Sequence, residues 1–323
     1  MIKKSRTTST KPARPRPASA IKTQRAKRDS ERKTLRPRHG ELKVLTADAL
    51  SALPWLVHGF STRQGGATEE YGGAQLNLGY TREDSKETVH RNRELFVRSL
   101  GATDAKRKPW PLINLSQIHS GVIHRVGRDG QHPTTGDGLI TNEPGILLAV
   151  KVADCFPVIV VDRKRKAVGV FHAGWRGTVQ RIVQKGVGEL RKHFGSDPKD
   201  LVAVIGPGIG KCCYGIGEEV ENEFESQFAY APELFEDVFD SWALHTKYPL
   251  LFLNQRAPGH GEPALSRHLD LVAANRRQLI DAGVPEKNIS DMGLCTACRT
   301  DLFFSYRKEH VTGRMMAAVG IRP

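Results

Sequence analysis

Four short runs of aliphatic residues constrain the fold of this chain more than any other feature. Each run is rich in β-branched side chains and is bounded by Gly, Asp or Pro, as buried strands are. The four runs cover residues 146–152, 157–161, 167–171 and 201–205. Two further strands are predicted at residues 289–294 and 315–321, so the chain is expected to have a sheet core.

Segments with apolar side chains at helical spacing alternate with these strands. The predicted helices cover residues 85–100, 178–194, 220–228 and 271–280. Ser85 and Thr178 are the expected caps of the first two helices. Since no repeat and no long linker interrupts residues 42–323, we expect one large α/β domain.

The positive charge of the chain is concentrated at its beginning. Residues 1–40 hold 14 of the 49 Lys and Arg residues and two of the 35 acids, so they carry +12 of the net +14. Since large apolar residues are almost absent here, we predict a disordered basic tail over residues 1–41. Weak nucleic-acid binding through this tail stays open. An organelle transit peptide is disfavoured by Pro12, Pro15 and Pro17.

Composition and patterning exclude several classes of protein. No apolar run is long enough for a membrane-spanning helix, and the first 40 residues lack the apolar stretch of a secretory signal. Five cysteines among 323 residues are too few, and odd in number, for a disulfide scaffold. We therefore expect a cytoplasmic protein without a membrane partner. We also expect a monomer.

Three potential metal ligands, His119, Cys155 and His172, lie at the ends of strand-like runs. If neighbouring strands end on the same side of a sheet, the three side chains converge in a crevice. Two imidazoles and one thiolate are ligands of catalytic Zn²⁺ that leave a fourth position for water or substrate. The same ligands also accept copper.

Other roles for these three residues stay open. The histidines can be ordinary hydrogen-bonded side chains and Cys155 a small core residue, since free cysteine is often buried. Alternatively, Cys155 is a nucleophile with His172 or His119 as its base, and no metal is needed.

Two neighbouring residues are further candidates for the chemistry. Asp154 is a catalytic base or a residue that orients a ligand, and it can equally cap a turn. Arg176 lies in a turn, residues 174–177, whose backbone amides suit an anion such as phosphate. An ordinary strand-to-helix turn with an exposed arginine fits that pattern equally well.

A glycine-rich segment and four cysteines form the remaining motifs. Residues 206–213, Gly-Pro-Gly-Ile-Gly-Lys-Cys-Cys, lack residues that the Rossmann and Walker motifs require, so we predict a tight turn. Cys212 and Cys213 could join Cys295 and Cys298 in a four-thiolate zinc site. Adjacent cysteines chelate one metal poorly, however, and the chain has no second Cys-x-x-Cys. Packing or a redox role is the expected use of these thiols.

Motifs spread over residues 55–321 occur together, and in the same order, in one known family. The most specific pair is Ala-Asp-Cys at 153–155 and His-Ala-Gly-Trp-Arg-Gly at 172–177. The other motifs are Gly59-Phe-Ser-Thr-Arg-Gln-Gly-Gly66, Leu76-Asn-Leu-Gly79, Ser116-Gln-Ile-His119, Gly136-Asp-Gly138, Gly206-Pro-Gly208, Cys213-Tyr214, Leu269-Asp-Leu271, Cys295-Thr296, Phe303-Phe-Ser-Tyr-Arg307 and Thr312-Gly-Arg314. The chain thereby resembles the polyphenol-oxidase/laccase-domain family, whose members are also described as multifunctional zinc-dependent purine nucleoside phosphorylases.

The resemblance implies a fold and a metal site. The expected fold is a single-domain layered α/β sandwich similar to the toxin-deamidase, or cysteine hydrolase-like, fold, with residues 42–323 as the catalytic domain. The expected metal ligands are His119, Cys155 and His172, with Zn²⁺ as the cofactor and copper as the alternative.

The resemblance also implies an activity. We expect a purine nucleoside phosphorylase that also deaminates adenosine and phosphorolyses methylthioadenosine, so that purine nucleosides and phosphate are its partners. Asp154 and Cys155 are the expected catalytic residues, and Arg63, Asn77 and Arg176 the expected substrate-binding residues. The alternatives are a single-copper phenol oxidase and a cysteine-type amide hydrolase that edits peptidoglycan precursors.

Overall fold

In the computed structural model, which describes residues 41–127, 134–239 and 265–323, two β-sheets lie face to face. Residues 42–323 form one unit. The predicted basic tail, apart from Glu41, lies outside the described residues. None of the helices in the described part of the chain is long and apolar enough to cross a membrane.

The sheets are built from short strands, most of which pair antiparallel with a neighbour. In chain order the strands are β1 (Val44–Leu45), β2 (Leu56–Ser61), β3 (Gln64–Thr68), β4 (Leu112–Ile113), β5 (Ile123–Arg125), β6 (Gly138–Thr141), β7 (Leu147–Val152), β8 (Phe156–Asp162), β9 (Ala167–Ala173), β10 (Leu201–Ile205), β11 (Phe235–Phe239), β12 (Leu265–Leu269), β13 (Ile289–Asp291) and β14 (Met315–Ile321). One sheet has the order β1-β2-β14-β7-β4 and the other the order β13-β10-β8-β9-β6-β5. Strands β11 and β12 form a separate pair.

The helices pack mainly on the outer faces of the sheets. They are α1 (Asp48–Ser51), α2 (Lys86–Ser99), α3 (Trp175–Val179), α4 (Ile182–Phe194), α5 (Glu218–Gln227), α6 (Leu271–Asp281) and α7 (Tyr306–Glu309). Short 3₁₀ turns cover Pro198–Asp200, Ala231–Leu234 and Glu286–Asn288. Ser85 caps α2 as expected, because its hydroxyl accepts a hydrogen bond from the Thr88 amide at 3.0 Å.

Alternation of side chains along the strands explains why the sheets face each other. Val150 in β7 and Val319 in β14 belong to the same buried cluster as Ile159 in β8 and Val170 in β9. Successive side chains of a strand point to opposite faces, so one face of each sheet supplies this shared core.

The outward faces of the same strands bind the helices. Ala149 of β7 packs in a cluster with Phe96 of α2, whereas Val160 of β8 packs with Val187 of α4 and Leu279 of α6. The order of layers is therefore helix, sheet, sheet, helix. This confirms the predicted layered α/β class, and it explains why the central strands have uninterrupted aliphatic sequences, since both of their faces are buried.

The structure corrects the predicted helix over residues 178–194. It is divided into α3 and α4 at Arg181, whose φ of 58° is left-handed. Thr178 is not a cap but a buried residue inside α3, and Gly174 is the capping residue. The predicted turn at 174–177 is thus the start of a helix. The strand predicted at 289–294 ends at Asp291.

Candidate metal centre

The candidate ligands Cys155 and His172 meet because β8 and β9 run antiparallel. Cys155 directly precedes β8, and His172 is the penultimate residue of β9. Pro157 pairs with His172, so the beginning of one strand lies beside the end of the other. The predicted convergence occurs, although its cause is this antiparallel pairing and not strands that end on the same side.

The third candidate, His119, is held beside them by its loop. The Gln117 side-chain amide donates to the Lys151 carbonyl at 2.8 Å and accepts from the Lys151 amide at 2.7 Å, which fixes the loop to β7. The His119 amide donates to the Asp137 carboxylate at 3.1 Å. His119 has a φ of 58°, in the left-handed region, so the position of this ring costs backbone energy.

The three side chains form one cluster of metal-binding atoms. One donor atom of each residue lies within 4.8 Å of the other two. The His119 and His172 rings meet edge to face with centroids 5.0 Å apart. His172 is buried, Cys155 is half-buried and His119 is exposed, so the cluster is closed on one side and open on the other. A catalytic metal site with an open coordination position needs this arrangement.

A buried carboxylate that the sequence analysis did not single out, Asp137, organises this cluster. Its Oδ1 accepts from His172 Nδ1 at 2.8 Å, which leaves Nε2 of that ring for a metal. The carboxylate also accepts from the backbone amides of residues 118–120 and from the Ser120 hydroxyl. The motif Gly136-Asp-Gly138 in the sequence was the signal that could have identified it.

Electrostatics favour a thiolate beside an imidazolium. Burial would raise the pKa of Cys155, but the charge and hydrogen bonds of His172 and His119 lower it to about 6. Burial would lower the pKa of His172, but the Cys155 thiolate and Asp137 raise it to about 9. Burial also opposes ionisation of Asp137, yet hydrogen bonds from His172 and Ser120 hold its pKa well below the usual range. Between the first two pKa values, the metal-free cluster holds a thiolate and an imidazolium.

Gly174 provides the space that the thiol occupies. Its φ of −76° is accessible to any residue. A Cβ atom at this position would lie 2.7 Å from Cys155 Sγ and 3.4 Å from the His119 ring. Atoms cannot approach as closely as the first of these distances without displacement, so a glycine is required here for steric reasons.

Asp154, the predicted catalytic base, is bonded within the protein. Its two carboxylate oxygens accept from Thr296 Oγ1 and from the Arg307 amide, each at 2.7 Å. Its carbonyl accepts from the Ile209 amide at 2.7 Å, and its φ of 87° is left-handed. These contacts do not favour a role as base. They make Asp154 a residue that fixes the backbone just before Cys155.

Arg63, predicted to bind phosphate, is buried and makes five hydrogen bonds within the protein. The acceptors are the side chains of Gln75 and Glu309 and the carbonyls of Tyr71, Thr300 and Phe303. The guanidinium also lies 4.6 Å from the centroid of the Phe304 ring. Phosphate binding by Arg63 stays a prediction that this geometry does not favour, because its donors hold the region after β2 to the segment before β14.

The other two predicted substrate residues differ in accessibility. Asn77 is fully buried, and its amide donates to the Gly79 carbonyl and to Asp84 while accepting from the amides of Gly79 and Arg314. It has no free group for a substrate. Arg176 is exposed in the first turn of α3, where it stacks on Trp175 and lies 3.4 Å from a Glu219 carboxylate oxygen. It remains available to an anion.

Comparison with known proteins identifies the family. The family model described as multi-copper polyphenol oxidoreductase laccase matches residues 57–322. The chain belongs to this family. It is 32% identical, over 86% of its length and 96% of the relative, to a protein of Bacteroides thetaiotaomicron named purine nucleoside phosphorylase. A relative from an unknown prokaryotic organism named adenosine deaminase RL5 is 35% identical over 57% of the chain and 61% of the relative.

A solved structure supports the same assignment. The crystal structure of the hypothetical protein YfiH of Bacillus licheniformis is similar with a TM-score of 0.72 and 29% sequence identity. The similarity covers 88% of this chain and 98% of that protein. The family predicted from the sequence motifs is thus confirmed.

Replacing Asp137 by Asn tests its role in orienting the cluster. The variant keeps the size of the side chain but loses the charge that fixes the His172 tautomer, so zinc affinity should fall about 10- to 100-fold. Competition with a chromophoric chelator measures this affinity. Ser120→Ala is the control. It removes only the hydroxyl that donates to the Asp137 carboxylate, so zinc affinity should fall only slightly. Equal affinities of wild type and Asp137→Asn would exclude the proposed orientation.

Gly174→Ala should disrupt the cluster without unfolding the protein. The added methyl group displaces the Cys155 thiol, so we expect loss of metal binding at this cluster with circular dichroism unchanged. Gly188→Ala in α4 is the matched control, because a Cβ there meets nothing within 4 Å. Removing this helical glycine should stabilise the protein by up to about 1 kcal/mol. Normal metal binding in Gly174→Ala would contradict the steric argument.

Zinc binding at the cluster should release the proton of His172. Above the Cys155 pKa of about 6 and below the His172 pKa of about 9, only the His172 proton must leave before both residues can bind metal. Affinity should therefore increase about tenfold per pH unit within this interval. Calorimetry in buffers of different ionisation enthalpy measures the number of protons released. The same titration of Cys155→Ala is subtracted, because it measures zinc binding outside the cluster. An affinity independent of pH would rule out the imidazolium.

Proposed function

We propose that this enzyme is a zinc-dependent purine nucleoside phosphorylase that also deaminates adenosine and phosphorolyses methylthioadenosine. The observation that carries the proposal is the convergence of His119, Cys155 and His172, with donor atoms within 4.8 Å of one another. Relatives named purine nucleoside phosphorylase and adenosine deaminase support the same substrates, purine nucleosides and phosphate.

The donor set fits zinc. Two imidazoles and a thiolate are borderline and soft ligands, and Asp137 presents Nε2 of His172 as such sites require. When bound, Zn²⁺ would supply Lewis-acid chemistry at the open side of the cluster. Copper is the alternative metal, because the same donors accept it. A phenol oxidase of the multicopper kind would need several histidine-rich sites, and this cluster provides one.

The protein's own groups are proposed to act as follows. Asp137 holds the His172 Nδ1 proton and keeps that ring oriented, and Asp154 keeps the Cys155 backbone in place. Arg176, exposed in the first turn of α3 and paired only loosely with Glu219, binds phosphate. Arg63 and Asn77 support this machinery from the interior and do not contact substrate.

A second candidate is a cysteine-type amide hydrolase. The lowered pKa of Cys155 and the raised pKa of His172 are those of a nucleophile paired with its base. In that case Cys155 attacks without a metal. Peptidoglycan precursors are the substrates that this candidate would edit.

Cys155→Ala separates these candidates. Purified wild type given adenosine and phosphate should form adenine or inosine, and Cys155→Ala should lose that turnover together with one zinc per chain. Its fold should persist, because removal of a half-buried thiol leaves the core intact. Metal analysis, product chromatography and circular dichroism provide the measurements. Cys155→Ser, which keeps nearly the same size, is the control for packing.

Two outcomes would contradict the zinc proposal. Full zinc content with normal turnover in Cys155→Ala would remove Cys155 from the site. Wild-type turnover that survives exhaustive chelation but is lost on thiol alkylation would favour the amide hydrolase.

Further parts of the proposal concern the setting of the enzyme. We infer a cytoplasmic monomer whose catalytic domain is residues 42–323 and whose layered fold is similar to that of toxin deamidases. Residues 1–41 are proposed as an accessory basic tail that binds nucleic acid weakly. Deleting them should leave nucleoside turnover unchanged, because the candidate site residues lie elsewhere.

A further inference from the structure

Four of the five cysteines converge at one place outside the cluster described above. Strands β10 and β13 pair in parallel, so their carboxyl ends lie at the same edge of the sheet. The segment after β10 carries Cys212 and Cys213, and the segment after β13 carries Cys295 and Cys298. The parallel pairing therefore brings two sequence-distant pairs of thiols together.

The distances fit a tetrahedral metal site. The four Sγ atoms all lie within 4.8 Å of one another. Cys298 Sγ is 3.5 Å from Cys212 Sγ and 3.4 Å from Cys213 Sγ. In a tetrahedral site with Zn–S bonds of about 2.3 Å, neighbouring sulfur atoms lie about 3.8 Å apart. All five cysteines are free thiols.

The adjacent cysteines, which argued against a metal in the sequence, are placed favourably by a turn. The amides of Cys213 and Tyr214 both donate to the Gly210 carbonyl, at 2.9 and 3.0 Å. This tight turn directs both thiols toward Cys298. In an extended backbone, by contrast, successive side chains point to opposite faces and two adjacent thiols could not share one metal.

The backbone also prepares one sulfur atom for a cation. The Gly210 amide donates to Cys295 Sγ at 3.3 Å. The sulfur atom that carries this bond is thereby oriented beside the other three. A divalent cation bound among the four sulfur atoms would offset the repulsion among four thiolates.

The thiols also adjoin the residue that positions Cys155. Thr296, next to Cys295, donates its hydroxyl to Asp154 and its amide to the Gly208 carbonyl. The Ile209 amide donates to the Asp154 carbonyl. The two segments that carry the thiols thus both bind Asp154, which also accepts from the Arg307 amide.

We propose that Cys212, Cys213, Cys295 and Cys298 bind one Zn²⁺ through four thiolates and form a second, structural metal centre. Four protein ligands close the coordination sphere, which is typical of structural and not of catalytic zinc. The thiol protons leave on binding, and no redox change occurs. The centre joins the segments after β10 and β13 and thereby stabilises the position of Asp154.

Zinc content per chain tests the proposal. Full-length protein is prepared in reducing, zinc-containing buffer and freed of loosely bound metal by gel filtration. We expect two zinc ions in wild type, one in Cys155→Ala, one in Cys298→Ser and none in the double variant. Lys211→Ala is the matched control and should keep two zinc ions. Lys211 lies in the same turn, but its exposed side chain pairs with Glu236 and carries no thiol.

The Cys155→Ala variant identifies the ligands directly. It keeps all four thiols of the proposed centre, so the measurement does not require a variant of those thiols to fold. Its zinc X-ray absorption spectrum should show four sulfur neighbours at about 2.3 Å. Cys298→Ser should also unfold at a lower temperature than wild type. Absence of zinc from Cys155→Ala, nitrogen or oxygen neighbours in its spectrum, or a coloured iron centre would overturn the proposal. Failure of nucleoside turnover would leave it unaffected.

Discussion

The buried carboxylate of Asp137 is the interaction on which the candidate centre depends. A charged oxygen inside a protein is stable only when donors surround it, and here the donors are the His119 loop, Ser120 and the His172 ring. Because the same carboxylate binds all of them, the two histidines cannot move independently. Both histidines are therefore held in place because each donates a hydrogen bond to the Asp137 carboxylate.

The two sheets complete this arrangement from different sides. β7 belongs to one sheet and β8 to the other, and the short segment between them carries Asp154 and Cys155. The thiol is consequently at the boundary of the two layers, while His172 comes from the interior of the second sheet. A centre built at such a boundary takes rigidity from both layers and keeps one side open.

The sequence predicted those strands correctly whose two faces are both buried. The runs at β10 and β14 have the bounds observed, because a short aliphatic run buried on both faces matches a strand and little else. The break at Arg181 was not predictable, because apolar residues continue at helical spacing on both sides of it. In the structure the Arg181 guanidinium donates to Gln227. The strand pattern alone also did not predict two sheets, because side chains alternate along a strand in the same way in one sheet as in two.

The same limit applies to the site. Cys155 and the two histidines were identifiable because few residue types bind zinc, whereas Arg63 could not be distinguished from a phosphate ligand by its type alone. What separates these roles is the set of neighbours. Five protein acceptors surround Arg63, whereas Arg176 has one carboxylate partner, at 3.4 Å, within the part of the chain that the structure describes. Asp137 was missed for the converse reason, since its importance lies in which loops it joins.

The left-handed backbone of His119 and Asp154 has an evolutionary consequence. A side chain in this conformation costs about 1–2 kcal/mol, which glycine would largely recover. At His119, however, glycine would delete a candidate metal ligand, so the more stable backbone is functionally inaccessible. At Asp154 the hydrogen bonds from Thr296 and the Arg307 amide offset the backbone cost. Selection for activity thus keeps the protein below the stability that its own fold permits.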